Sequence, residues 1–276
     1  MGGSRLPLAA DYVEQCRKWY DAQATALEFA KPDAADTINA WIKLNTMNKI
    51  AAIVNKGSVA ASKAIITNAV YFKGEWRDPF PKEDTQDRPF HLAGGGKKLV
   101  PMMRHELPRG AWRSGAQFEA AVLPYKDSGV ALYAILPAKG VSPEDVLLKL
   151  SLEQLIWGSQ PDELNLLFPR FTMDFSVSLA PALKRMGMGV AFEYPGADFR
   201  PMGSPEFCLG DVLHKTRLEI DEEGTVAAAA TVLFVEAGAA FPLPRKKTLV
   251  FDRPFALLLA DNATGAVLFA GIVYEP

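Results

Sequence analysis

The sequence predicts an α+β fold built mainly from antiparallel sheet with helices packed on it. Three observations predict it. Alternating apolar and polar residues recur at 118–124, 130–137, 255–259 and 266–273, with turn residues between paired runs. Helical spacing is confined to four regions, 9–22, 33–45, 143–157 and 179–188. Residues 64–72 form a near-continuous apolar, β-branched run. No internal repeat, low-complexity segment or linker divides the chain, so a single domain over 1–276 is the economical reading.

In chain order, 9–22 carries Tyr12, Val13, Cys16 and Tyr20 as one apolar stripe of a helix. Ala24–Phe29 reads as a short strand. Asp33 is suited to cap a second helix running to about Asn45, with Ile38, Trp41, Ile42 and Leu44 on its apolar side. The run Ala64–Phe72 has the signature of a strand buried on both faces. Residues 78–91 are polar and contain proline, and read as an excursion. Gly94–Gly96 before Lys97 and Lys98 reads as a turn between strands; it lacks the spacing and the Ser or Thr of a phosphate-binding loop. Asp127–Gly129 closes a hairpin between 118–124 and 130–137. Two short helices follow at 143–150 and 152–157, then a strand at 164–171. A helix over 179–188 carries Leu179, Leu183 and Met186 on one side and is ended with help from Gly187. Val212–Ile220 alternates as a strand, and Asp261–Gly265 turns the last hairpin.

Bulk properties exclude several classes. The chain has 276 residues, 49% apolar and 22% charged, as in an ordinary globular protein with a large core. A net charge of −2 gives no electrostatic ground for a nucleic-acid partner. No apolar run approaches the ~20 residues needed to span a bilayer, so no membrane partner is expected. The start, MGGSRLPLAADY, carries no secretory signal; the expectation is a protein that stays inside, or a mature or shortened form. Cys16 and Cys208 make no disulfide framework.

Catalytic and cofactor chemistry finds no support. His91, His105 and His214 are far apart and lack metal-ligand spacing with each other or with cysteine, so no metal and no cofactor are expected. No G-x-S-x-G elbow is present. The expectation is that the chain is not an enzyme. Arg245-Lys246-Lys247 is too small a basic patch to favour more than a solvated loop edge.

The stretch 222–235, EEGTVAAAATVLFV, organises the rest. Gly224 suits a backbone hinge. On a strand, Thr225, Ala227, Ala229, Thr231, Leu233 and Val235 share one face, and the first of these are small enough to slide between existing strands. The local string alone equally fits a buried helix turn or a core strand.

Taken with the landmarks Asn39–Trp41, Thr67–Trp76 (TNAVYFKGEW), Val100–Met103 (VPMM), Leu123–Tyr125, Phe168–Phe171 (FPRF), Ala197–Phe199, His214–Lys215 and Leu268–Pro276, the chain resembles the serpins. Val226 stands where that family usually has glutamate. The resemblance begins near Leu6, without counterparts of the family's N-terminal helices, and so implies a partial serpin-like domain over 1–276. Its expected behaviour is impaired trapping and a tendency to associate.

The resemblance implies a suicide-substrate inhibitor of serine proteases with an exposed reactive loop at about 224–250. It implies a hinge at Glu222, Glu223, Gly224, Thr225, Val226, Ala227, Ala228, Ala229, Ala230 and Thr231. It implies a shutter pairing Asn68 with His214, taken as a buried cluster, and a breach at Trp76. Counting forward from Gly224 puts the scissile bond at Gly238–Ala239, with Ala240 and Phe241 as rivals. These small residues suit an elastase-like partner, and Phe241 a chymotrypsin-like one. The resemblance further suggests a monomer and an extracellular setting. A non-inhibitory relative or an inactive fragment is the alternative.

Overall fold

The computed structural model describes residues 7–60, 62–108, 111–158, 163–203, 207–223 and 246–276. In chain order its helices are α1 (Ala10–Tyr20), α2 (Asp33–Asn45), α3 (Lys56–Val59), α4 (Pro143–Lys149), α5 (Leu152–Trp157) and α6 (Ala180–Leu183). The first strands are β1 (Ile65–Phe72), β2 (Gln86–His91), β3 (Lys97–Leu107), β4 (Trp112–Ser114), β5 (Phe118–Pro124) and β6 (Val130–Pro137). They are followed by β7 (Glu163–Pro169), β8 (Phe171–Ser178), β9 (Asp211–Ile220), β10 (Lys246–Val250), β11 (Phe255–Asp261) and β12 (Val267–Val273). The described strands form three sheets, ordered β1-β9-β8, β10-β7-β3-β2 and β12-β11-β6-β5-β4.

The chain falls into two compact units, Met1–Phe72 with Met173–Leu218, and Lys73–Thr172 with Glu219–Pro276. In the first, α2 buries Ala34, Ala35 and Ile42. Ala35 joins Val54 and Val59 in a small core against which Ile65 and Leu213 pack. Asn39 ties this helix to the following segment: its Nδ2 donates to the Val54 carbonyl at 2.9 Å, and its Oδ1 accepts from the Ile53 N–H at 2.9 Å. β1 and β9 run parallel, Ile65 opposite Asp211 through Phe72 opposite Leu218.

The second unit holds the deeper core. β5, β6 and β11 bury Ala120, Val122, Tyr133, Ile135, Ala256 and Leu258 on one face, where α4 and α5 supply Val146, Leu155 and Ile156. Ser142 and Ser151 cap these two helices by accepting from the Asp145 and Gln154 N–H groups. The glycine turn closes β2 onto β3, with Gly95 and Gly96 at φ of 90° and 87°, angles that side-chain-bearing residues rarely adopt.

Most predicted elements stand, and the sheets are mainly antiparallel. The departures have physical causes. Ala24–Phe29 forms no strand; no described strand pairs with it. Asp33 is the first residue of α2 rather than its cap, since Pro32 holds that position without a side-chain hydrogen bond. Leu44 lies on the exposed side of α2. Residues 78–91 are not merely an excursion: 86–91 is β2, whose Pro89 is tolerated because β2 is the edge of its sheet. The strand expected over 164–171 splits at Arg170 into β7 and β8. The helix over 179–188 is one α-turn and a wider turn broken at Gly187, where φ is 100°. β1 is not buried on both faces. Its Ile66 is half exposed, because among the described residues β1 is the edge of a three-stranded sheet.

Candidate functional site

Three acidic residues follow the end of β9, and each is held by the second unit's own residues. The Asp221 carbonyl accepts from Trp76 Nε1 at 2.8 Å, and its carboxylate meets Lys73 Nζ at 3.0 Å and the Glu223 N–H at 3.2 Å. Glu222 is only 5% exposed. Its Oε1 accepts from Thr85 Oγ1 at 2.8 Å and from Arg170 Nη1 at 3.2 Å. A buried carboxylate requires such partners, since its desolvation is otherwise unbalanced. The Glu223 carboxylate pairs with Lys82, which raises the Lys82 ammonium above its ordinary range.

The backbone is clamped as well. The Phe80 N–H donates to the Glu222 carbonyl at 2.9 Å, and the Trp76 N–H to the Glu223 carbonyl at 3.3 Å. Trp76 and Phe80 are each 3% exposed. Trp76 stacks on Tyr125 at 4.5 Å and meets the Phe80 ring edge-on at 6.3 Å. Burial raises the Tyr125 phenol above its usual range. A polar cavity of about 630 Å3 opens beside the clamp, lined in part by Lys82, Thr85, Gln86, Arg170 and Glu222.

A second site lies on the β1–β9 pair. Asn68 faces His214 in register, and Asn68 Oδ1 lies 2.9 Å from His214 Nδ1. The resemblance brought these two together, and they do meet. Asn68 is exposed and His214 half-buried, so the pair is not the fully buried cluster expected.

Of the remaining expected residues, Gly224, Thr225, Val226, Ala227, Ala228, Ala229, Ala230, Thr231, Gly238, Ala239, Ala240 and Phe241 lie outside the described residues. Lys246 and Lys247 pair with Glu106 and Glu119, which leaves little free positive charge there. Among the described residues no cluster of His, Cys, Asp or Glu is placed to hold a metal ion, and no helix is long and apolar enough to cross a membrane.

Sequence reasoning gave no role to Thr85, Lys82, Arg170, Phe80 or Asp221. Arg170 stood inside the FPRF landmark, whose regularity was a usable signal. Thr85 sat in a stretch that read as an excursion and carried none.

Residues 2–276 match the family described as Serpin (serine protease inhibitor). Serpin B6 of Macaca fascicularis is 32% identical over 284 residues, an alignment that takes in 100% of this chain and 75% of that protein. Leukocyte elastase inhibitor of Homo sapiens is 32% identical over 282 residues, covering 96% of this chain and 73% of that one. The crystal structure of Manduca sexta serpin-12 superposes with a TM-score of 0.85 at 27% identity, over 98% of this chain and 72% of that one. Native protease nexin-1 with heparin gives 0.84 at 25%, over 100% and 75%. The chain belongs to the serpin family, and its α+β architecture with three sheets is the serpin fold, in a chain shorter than those relatives.

Proposed function

We propose that this chain is a monomeric suicide-substrate inhibitor of serine proteases, with elastase-like enzymes as its first candidates. The observation that carries the reading is the parallel pairing of β1 with β9, whose C-terminal end leads into the hinge. A chain that leaves β9 and turns back runs antiparallel to β9. Because β1 is parallel to β9, the same returning strand is also antiparallel to β1. One strand can therefore pair with both neighbours, and the ladder it interrupts is replaced by two. A strand of about a dozen residues, at ~0.5–1.5 kcal/mol net per hydrogen bond, contributes on the order of 10 kcal/mol. That is enough to pull a tethered acyl-enzyme out of the geometry deacylation needs.

Within the hinge 222–231, Thr225, Ala227, Ala229 and Thr231 supply the small inserting face, and Gly238–Ala239 is the proposed scissile bond, with Ala240 and Phe241 as rivals. The similarity to leukocyte elastase inhibitor favours an elastase-like partner. Incubating the chain with elastase, chymotrypsin and trypsin, then running a denaturing gel, tests this. A band at the summed mass supports the trap; clean cleavage alone refutes it. Thr225→Arg places a charge on the inserting face and should turn inhibitor into substrate. Mass spectrometry of the released C-terminal peptide locates the bond, with Ala239 or Ala240 expected as its first residue.

A further inference from the structure

A second cavity, of about 600 Å3, lies in the second unit where β6 and β12 end and β11 begins. It shares no lining residue with the cavity beside the clamp. Its volume falls in the ~300–1,000 Å3 range of small-molecule sites. Its walls are largely apolar: Ala93, Pro137, Ala138, Val141, Pro143 and Pro254. The prolines have fixed φ and no N–H, so this wall is stiff before anything binds and offers few backbone donors. The neighbouring backbone donors are already used. The His91 N–H donates to the Asp252 carbonyl at 2.7 Å, that of Ala138 to Gln117 at 2.8 Å, and that of Val141 to Ala138 at 3.0 Å.

Two cationic side chains, Lys139 and Arg253, line the same space. Arg253 Nη1 donates to Asp252 Oδ1 at 3.2 Å, and Nη2 to the Pro137 carbonyl at 2.8 Å. These bonds fix the guanidinium plane and leave part of its donor fork for a ligand. Lys139 is exposed and, among the described residues, pairs with no carboxylate. The cavity's own carboxylates are engaged, Asp252 by Arg253 and Glu144 by the Tyr274 hydroxyl. What stays open is cationic donors beside an apolar wall. We propose that this cavity binds a medium-chain monocarboxylate, its chain on the proline wall and its carboxylate on Arg253 and Lys139. The guanidinium fork matches a carboxylate in geometry, and bonds between ionised partners are the stronger kind. The site stands on this cavity alone and does not depend on the inhibitor reading.

Calorimetric titration of the full chain with decanoate, octanoate, decanol, decylamine and acetate tests this. Decanoate should bind about tenfold or more tightly than decanol, which lacks the charge, and decylamine, which inverts it. Octanoate should bind about tenfold more weakly than decanoate, since each buried methylene is worth roughly a three- to fourfold factor. Acetate, which has the charge without the chain, should give no measurable heat. Lys139→Gln should weaken decanoate by about tenfold, the loss of one charge-assisted bond, and leave decanol unchanged. Lys139 is exposed, so this variant keeps the fold. Ala138→Trp, on the same exposed loop, fills the cavity and should abolish binding. In NMR spectra decanoate should shift the Tyr274 ring and Val141 methyl signals and leave the exposed Trp19 unmoved. Equal affinity for decanoate, decanol and decylamine, or shifts at Trp19 instead, would show unspecific apolar adsorption and overturn the proposal. So would the absence of heat with decanoate at millimolar concentration, or decanoate binding that both variants leave intact.

Discussion

β11 and β1 are strands of similar length built for opposite ends. β11 is buried from Phe255 through Ala260, between β6 and β12, with Leu257 fully enclosed. β1 leaves Ile66 half exposed, and its polar Asn68 reaches sideways to His214. The hydrophobic term, at roughly 25 cal/mol per Å2, therefore fixes the five-stranded sheet, while β1, with no fully buried residue, shares with β9 its ladder, the Asn68–His214 contact and the small core on which Ile65 and Leu213 pack. A ladder bond broken by an incoming strand is remade with that strand; buried apolar area lost to water is not regained in that way. If β1 and β9 part as proposed above, a seam joined by exchangeable hydrogen bonds loses less than one joined by packing.

The largest expected effect tests the packed side of this contrast. Leu257→Ala should cost ~3–4 kcal/mol in a denaturant melt, through lost transfer energy and a residual cavity. Ile66→Ala on β1 should cost under ~1 kcal/mol. Equal losses would break the comparison. Next comes the clamp. Glu222→Ala strips Thr85 and Arg170 of a shared acceptor and should cost ~1–3 kcal/mol. Its signature should be local: exchange protection falls at Phe80 and Trp76 while β11 amides keep theirs. A uniform loss would mean that Glu222 supports the whole unit and not the hinge.

The seam itself comes third. Asn68→Ala removes one exposed side-chain bond, at most ~1 kcal/mol, so the global melt should barely move. Parting of β1 from β9 should nevertheless quicken, read as faster exchange of the Asn68–Phe72 amides. If the melt drops by several kcal/mol instead, the pair is a structural pin.

The two regions were also unequally legible in the sequence. Alternation with Asp127–Gly129 and Asp261–Gly265 between the runs marked β5, β6, β11 and β12 closely, because period and turn chemistry are local. The run Ala64–Phe72 was legible as a strand, but its burial was not, since burial depends on which neighbours the sheet supplies. Pro89 masked β2, because a proline argues against a strand unless the strand is known to be an edge. At the site, Trp76, Asn68 and His214 were found through family landmarks. Thr85, Arg170 and Lys82 were not, because their partners Glu222 and Glu223 lie 52 to 141 positions away and no spacing rule joins them.

The smallest effect belongs to the turn of the packed sheet. Asp261 Oδ1 accepts from the Ala263 N–H at 3.1 Å, the Thr264 N–H at 2.7 Å and Thr264 Oγ1 at 2.8 Å. The Thr264 N–H and hydroxyl, then the Ala263 N–H, hold its carboxyl below the usual range at the half-buried end of β11. A depressed carboxyl binds its proton less readily in the folded state. Its stabilisation is therefore present above the ordinary value near ~3.9 and is lost as pH falls through the folded value. Solvent screening keeps the contribution small. Asp261→Asn retains an acceptor oxygen but removes the charge, so the variant's Tm should lie slightly below the parent's at pH 6, and the gap should close as both are taken below pH 4. Protease trapping should be the same for both at neutral pH, because the turn belongs to the sheet that does not part. A gap that persists at pH 3 would assign the effect to turn geometry and not to charge. A change in trapping would show that the two regions are coupled, and would break the division of labour between β11 and β1.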